Sequence, residues 1–182
     1  MQVNIFPVSL AASALLSACA VMAPPPVVFS QADLPDAVKV PAGQKVALET
    51  VGAGEITYEC REKQAMAGQF EWVFVGPDAV LKDRTGKQVG KYYGPPATWQ
   101  ALDGSKLTGT QQAVAPSAPG NIPLQLVKAN PATGQGAMTG VSYIQRVATR
   151  GGVAPTMPCG GDNKGRKEIV KYQADYIFWA AM

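Results

Sequence analysis

The sequence predicts an all-β fold, a single-domain sandwich or barrel of short, mostly antiparallel strands. Hydrophobic and polar residues alternate along much of the chain, which is the period of half-buried strands. Val, Thr, Tyr and Ile recur in these segments and favour strands. The chain also has 19 glycines and 15 prolines, which are typical of the turns between short strands. Its 182 residues and 47% hydrophobic content suffice to bury one core, so we expect one domain.

Strand candidates follow one another from residue 54 onward, each bounded by turn residues. The first two alternate aliphatic and aromatic side chains with polar ones. Gly86 can adopt a positive φ in a turn between two short strands. In chain order, we predict strands over residues 54–61, 69–76, 79–94 (two short strands joined by a turn at 83–86), 105–115, 122–131, 137–149 and 168–181.

The last of these segments has two possible interpretations. Tyr172, Ala174, Tyr176 and Phe178 alternate as in a strand, whereas Tyr172 and Tyr176 also share one face of a helix. The β-branched and aromatic content of the segment favours the strand.

The N-terminus predicts export. Residues 5–20 carry no charge, are too few to span a membrane, which takes about 20 residues, and end in small side chains, as a signal peptide does. The quartet at residues 16–19 resembles a bacterial lipobox, which implies lipidation of Cys19 and a signal peptide over residues 1–18. Ala20 after the cysteine implies sorting to the outer membrane. The alternative is an ordinary secretory signal that contains a cysteine, and residues 1–4 lack the usual Lys or Arg.

We therefore expect an outer-membrane or periplasm-facing lipoprotein, held at the membrane through a lipid anchor, or otherwise a secreted protein. Residues 19–44 are rich in proline and predict an extended tether ahead of a β domain over residues 45–182. The alternative is that part of this segment, with residues 34–43 the most apolar, packs on the edge of the domain.

The composition excludes several kinds of chemistry. The chain has no histidine, which removes the commonest general base and metal ligand and the usual partner of a Ser or Cys nucleophile. Its net charge of +3 is spread thinly, so nucleic acid is not an expected partner. We expect no cofactor and no metal site.

Two cysteines remain once Cys19 is assigned to lipid. In an oxidising compartment, Cys60 and Cys159 are expected to form a structural disulfide. A metal site lacks the further ligands it would need, and a free thiol is the remaining alternative.

Eight short motifs follow one another along the domain: Tyr58 to Cys60, Trp72 to Leu81, Gly94 to Trp99, Asp103 to Gly109, Ile122 to Leu126, Ile144 to Pro155, Cys159 and Tyr172 to Trp179. Their order resembles the DUF3455 family, an exported domain of unknown function. The resemblance implies a secreted or envelope protein of a bacterium or fungus, and no established activity.

The chain departs from the family pattern around one loop. The family usually has a His–aromatic pair where this chain has Tyr92 and Tyr93, and a Glu where it has Gln100. It also has one extra residue between Gly-Pro and Trp99. If the family has an acid–base site at these positions, the resemblance implies that this member has lost it.

Candidate catalytic residues are few. One hypothesis is that Asp103 and either Asp162 or Glu168 form a glycosidase-like pair of carboxylates. The Asp-Gly-Ser sequence that begins at Asp103 is, however, also typical of a turn. Ser105 has no histidine to activate it. Arg146 alternates with apolar neighbours, which predicts either a paired interior charge that organises loops or a grip for an anion or carboxylate.

Three aromatic residues suggest a binding surface. Tyr92, Tyr93 and Trp99 lie along a proline-broken segment and predict an aromatic platform for a carbohydrate, peptide or small molecule. The alternative is that they cap one end of the domain. The leading hypothesis is a non-enzymatic envelope module that binds a ligand or partner or has a structural role.

The alternative function is a small secreted hydrolase or lyase that uses carboxylate and tyrosine chemistry without histidine. Its candidate residues are Asp103, Tyr92 and Arg146.

Overall fold

The computed structural model describes residues 1–2 and 29–182, and these form a closed barrel of eight antiparallel strands. Each strand pairs with the next along the chain, and the last pairs with the first. The strands are β1 (Gln44–Glu62), β2 (Phe70–Lys82), β3 (Gln88–Tyr93), β4 (Thr98–Ala101), β5 (Lys106–Ala115), β6 (Leu124–Ala129), β7 (Val141–Gly151) and β8 (Lys167–Ala181). The all-β prediction is confirmed, and of its two forms the barrel is the one observed.

The predicted strands are found, with three differences. β1 begins ten residues earlier than residue 54, and β2 runs without interruption through the glycine and proline that were expected to end a strand. Pro77 is tolerated within β2 because the register shifts beside it, opposite Thr57 and Tyr58, as at a β-bulge. β4 lies in what was predicted to be a loop. The ambiguous C-terminal segment is a strand, β8.

The interior of the barrel holds the main core, because alternate residues of every strand point inward. Tyr176, Phe178 and Trp99 are among its largest fully buried side chains. Gly52 makes room for this filling: a Cβ at this position would lie 2.6 Å from the Tyr176 ring carbon Cε2. Ile144 and Arg146 share one face of β7, and both face the interior.

The segment over residues 29–43 packs against the outside of the barrel. Val38 is fully buried there, over the outer faces of β5 and β6 and in one apolar cluster with residues of β7 and β8. Gln145, also 0% exposed, donates a hydrogen bond to the Val38 carbonyl oxygen (2.6 Å) and accepts one from Trp179 Nε1 (2.9 Å). The packed alternative therefore holds for this part of the predicted tether. Cys19 and residues 3–28 lie outside the described residues.

The strand directions define two ends of the barrel. The upper end carries the loops over residues 63–69, 94–97, 116–123 and 152–166. The lower end carries the turns at 83–87 and 102–105, the loop at 130–140, and the start of β1. The chain enters the described domain on the lower half of the wall, where the Phe29 amide donates to Glu49 Oε1 (3.1 Å) and its ring meets Trp179 edge-on.

The predicted disulfide is confirmed. Cys60, near the upper end of β1, is bonded to Cys159 in the loop between β7 and β8. The bond joins residues 99 positions apart, so it fixes this long upper loop to the wall.

Removing the disulfide is expected to lower the free energy of unfolding by about 3–5 kcal/mol, because a loop of this length gains much chain entropy when it is opened. The measurement is urea unfolding with and without reductant. The double variant Cys60→Ala, Cys159→Ala should have the same urea midpoint as the reduced wild type, and reductant should not change that midpoint. Equal midpoints for the oxidised and fully reduced wild type would contradict this expectation.

Candidate functional site

A cavity of about 300 Å³ lies in the upper half of the barrel. Its lining comes from each strand from β2 to β7 and from one loop residue, so the cavity lies inside the barrel, between opposite sides of its wall. We call it the barrel cavity. Its lining residues are Phe74, Tyr92, Ala97, Trp99, Gly109, Gln111, Gln125, Val127 and Arg146.

One wall of the barrel cavity is aromatic. Tyr92 and Trp99 face each other across β3 and β4 and stack with ring centroids 4.7 Å apart and planes 18° from parallel. The Tyr176 ring supports the pair from β8, with its centroid 5.0 Å from that of Tyr92. Phe74 remains 51% exposed at the upper end of this wall. The wall therefore presents flat, rigid apolar surface.

The opposite wall is polar. Arg146 on β7 and Gln125 on β6 are register partners, and Gln125 Nε2 donates to Gln111 Oε1 on β5 (2.6 Å). Arg146 donates from Nε (3.1 Å) and Nη2 (2.9 Å) to the carbonyl oxygen of Pro123. Within residues 29–182, no carboxylate lies at ion-pair distance from its guanidinium. Arg146 thus holds the loop before β6, as expected for an interior charge that organises loops. Within residues 29–182, however, that charge has no carboxylate partner.

The buried tyrosines around this cavity are held in the neutral form. Burial raises the pKa of Tyr92, Tyr172 and Tyr176, and the nearby positive charge of Arg146 opposes this only in part. Burial also raises the pKa of Tyr58, and the charge of Arg146 again opposes the rise. The Tyr58 hydroxyl donates a hydrogen bond to the Gly152 carbonyl oxygen (2.8 Å). A phenol whose pKa is raised is a poor general base at neutral pH. The tyrosine hydroxyls around the cavity are therefore suited to hydrogen bonds as neutral groups and not to proton transfer.

Asp103 lies at the lower end of the barrel, away from this cavity. Its Oδ1 accepts from the Ser105 hydroxyl (2.6 Å) and amide (2.9 Å), and its Oδ2 accepts from the Ala137 amide (2.7 Å). The hydrogen bond from the Ser105 hydroxyl is the first cause that lowers the pKa of this carboxyl. The turn interpretation of Asp-Gly-Ser fits this geometry.

The hypothetical carboxylate pairs are not formed. Asp162 and Glu168 belong to the upper loop and the upper start of β8, and Glu168 pairs with Arg166 (2.6 Å). Asp103 is at the other end. Of the three candidate catalytic residues, the structure brings together Tyr92 and Arg146 and leaves Asp103 apart.

The predicted aromatic platform is divided between the two faces of the wall. Tyr92 and Trp99 are core residues that face the barrel cavity, whereas Tyr93 points outward. The Tyr93 hydroxyl donates to Gln100 Oε1 (3.1 Å), and its ring borders an outer groove of about 260 Å³. The reason is the period of a strand, which sends consecutive residues to opposite faces.

Sequence reasoning missed Phe74, Gln111 and Gln125 as lining residues. Both glutamines stand among strand residues of ordinary composition, and nothing in their local pattern marks them. Their only signal is an amide at an inward position, which becomes visible once the register of β5 and β6 is known.

The described part of the chain holds no cluster of three or more His, Cys, Asp or Glu side chains suited to a metal ion. A model of the family described as "Protein of unknown function (DUF3455)" matches residues 41–180. The chain belongs to the DUF3455 family. The resemblance indicated by its motifs is thereby confirmed. No curated protein and no solved structure matches this DUF3455 chain.

The departures from the family pattern fall on two faces of the wall. Tyr92 and Gln100, the two positions at which the motif resemblance implied a departure, differ in direction: Tyr92 faces inward, whereas Gln100 faces outward beside Tyr93. In this chain the two positions therefore do not converge on one acid–base site.

Alkaline pH should destabilise the protein through its buried tyrosines. A folded-state pKa raised above the unfolded value stabilises the fold at pH below that unfolded value, about 10 for tyrosine. The stabilisation is then lost as the pH rises toward the folded pKa. We expect the free energy of unfolding to fall steeply above about pH 10.

The measurement is tyrosinate absorbance recorded together with circular dichroism. Tyr58, Tyr92, Tyr172 and Tyr176 should ionise in a single step that coincides with loss of the sheet signal. Protein unfolded in urea, the control, should titrate near the ordinary value. Ionisation of all six tyrosines without loss of the sheet signal would refute this expectation.

Proposed function

We propose that this protein is a non-enzymatic binding module that takes a small molecule into the barrel cavity. The observation that carries the proposal is the cavity itself, about 300 Å³ of space between an aromatic wall and a polar wall. The interior of an eight-stranded barrel is only wide enough to be filled by side chains or to hold one small ligand. The lower half is filled by core side chains, and the upper half has room for the ligand.

The chemistry of the lining favours binding over catalysis. None of the described residues that line the cavity is a carboxylate, and the tyrosine that lines it is held neutral by burial. An acid–base enzyme needs two ionisable groups in one site with pKa values moved apart. Asp103, the candidate carboxylate, lies at the other end of the barrel. The hydrolase or lyase alternative thus lacks its carboxylate in this cavity, where only Tyr92 and Arg146 of its candidate residues meet.

The volume of the cavity limits the size of the ligand. Its volume is at the lower limit of small-molecule sites, which span about 300–1,000 Å³. A peptide would need a longer groove, so among the predicted ligand classes we favour a small molecule. Its apolar part would lie on the Tyr92–Trp99 pair.

Filling the cavity should abolish binding. Ala97 lines it and is half-buried, so Ala97→Phe puts a ring into the space that the ligand would occupy. Ala67→Phe, an exposed site in the loop between β1 and β2, is the matched control. The measurement is a fragment screen by ligand-observed NMR and thermal shift on the three proteins.

The expected result is a set of fragments that bind the wild type and Ala67→Phe but not Ala97→Phe. The proposal fails if no fragment binds the wild type, or if the same fragments bind Ala97→Phe unchanged.

We further infer that the protein is exported and anchored by lipid at Cys19, in the outer membrane or facing the periplasm. Two observations support this: the lipobox-like quartet at residues 16–19, and the Cys60–Cys159 disulfide, a bond that persists in oxidising compartments. Within the described residues, no helix has the length and apolar character to cross a membrane.

Labelling with a palmitate analogue in a bacterial host tests the anchor. The wild type should take up the label and Cys19→Ser should not, because the thiol carries the lipid. The double variant Cys60→Ala, Cys159→Ala controls for labelling of other cysteines and should remain labelled. Equal labelling of the wild type and Cys19→Ser would contradict the proposed lipid anchor at Cys19.

A further inference from the structure

The geometry points to an organic anion as the ligand of the barrel cavity, with its carboxylate bound by Arg146 and its unsaturated body lying on the aromatic wall. This inference rests on the proposed binding function and names the class of ligand. Two independent features carry it: an arginine whose charge is unpaired within residues 29–182, and the stacked Tyr92–Trp99 pair that lines the same cavity.

Arg146 is held in position before any ligand arrives. Its Nε and Nη2 donate to the same carbonyl oxygen, that of Pro123, which fixes the orientation of the guanidinium plane. A guanidinium has five N–H donors, and these two bonds use two of them, so three remain for another acceptor. A carboxylate is the acceptor that the planar fork of an arginine matches best.

The surroundings of Arg146 leave its charge without compensation. A carbonyl oxygen carries no net charge, and the register neighbours of Arg146, which are Gln125 and Tyr176, are neutral as well. Val127 and Trp99 add apolar surface to the same cavity. Arg146 is half-buried, so water solvates part of its charge, and the apolar walls strengthen its attraction for an anion relative to bulk water. The cavity therefore selects against cations and favours anions over neutral molecules.

Trp99 provides the apolar contact on the other side of the cavity. This residue lines the cavity and stacks on Tyr92, with ring centroids 4.7 Å apart. Its Nε1 is buried without a hydrogen-bond partner among the described residues, so the ring and not the N–H is what a ligand would contact. Trp99 lies on β4 and Arg146 on β7. A ligand that contacts both spans the cavity, with the carboxylate at one side and a π system at the other.

The decisive experiment compares each carboxylate with its own carboxamide, which has nearly the same shape and no charge. Four pairs suit the volume: benzoate, phenylacetate, cinnamate and indole-3-acetate, each with its amide. Binding to the full chain is measured by NMR titration in a low-salt buffer free of carboxylates. We expect at least one carboxylate to bind the wild type ten-fold or more tightly than its amide.

Arg146→Gln should remove this preference, so that each carboxylate binds no more tightly than its own amide, because the variant lacks the charge. Arg146→Lys should retain part of the preference, because it keeps the charge and loses the fork. Arg150→Gln is the matched control: it lies on the same strand but is exposed outside the cavity, and its affinities should equal those of the wild type.

The possible failures are distinguishable. If carboxylates and amides bind the wild type equally, or if only amides and neutral fragments bind, the anion inference is overturned while the proposed binding function stands. If no fragment at all binds the wild type, the proposed function falls and takes the inference with it. Should Arg146→Gln not fold, the wild-type comparison and Arg146→Lys decide. A carboxylate preference that stays unchanged in Arg146→Lys, or one that persists in Ala97→Phe, would also overturn the inference.

Discussion

Every other feature of the molecule depends on the pairing of the first strand with the last. β1 and β8 run side by side from Gln44 opposite Ala181 to Glu59 opposite Lys167, so the two ends of the domain close the ring. Closure satisfies the backbone groups that an open sheet would expose at its edges. It also makes one face of every strand an interior surface. The core aromatic residues, the position of Arg146 and the cavity all exist because the sheet has an inside.

The cavity is a consequence of side-chain size within that closed ring. In the lower half, large residues such as Leu81, Phe178 and Ile144 occupy the inward positions. Around the cavity, Ala97 and Gly109 contribute little volume. Gly109 also leaves room for the Val127 side chain, since a Cβ there would lie 2.4 Å from Val127 Cγ1. A barrel of this strand number thus keeps a solid core below and open space above without any change in its backbone pairing.

Much of the wall could be predicted from the sequence, and little of the site. Alternation correctly placed the strand segments and even the inward phase of Arg146, because a period of two is a local property. β4 escaped detection because it has only four residues and follows two prolines. The separation of Tyr92 from Tyr93 and the meeting of Gln111, Gln125 and Arg146 depend on register between strands, which no local pattern carries.

The position of the entering segment gives the barrel a direction. Phe29 reaches the wall on its lower half, beside Glu49 and Trp179, whereas the barrel cavity lies toward the upper end. With the anchor proposed above at Cys19, the lipid would restrain the lower end of the barrel. The barrel cavity, on the far side of the core from that end, would then lie toward the aqueous compartment rather than toward the bilayer.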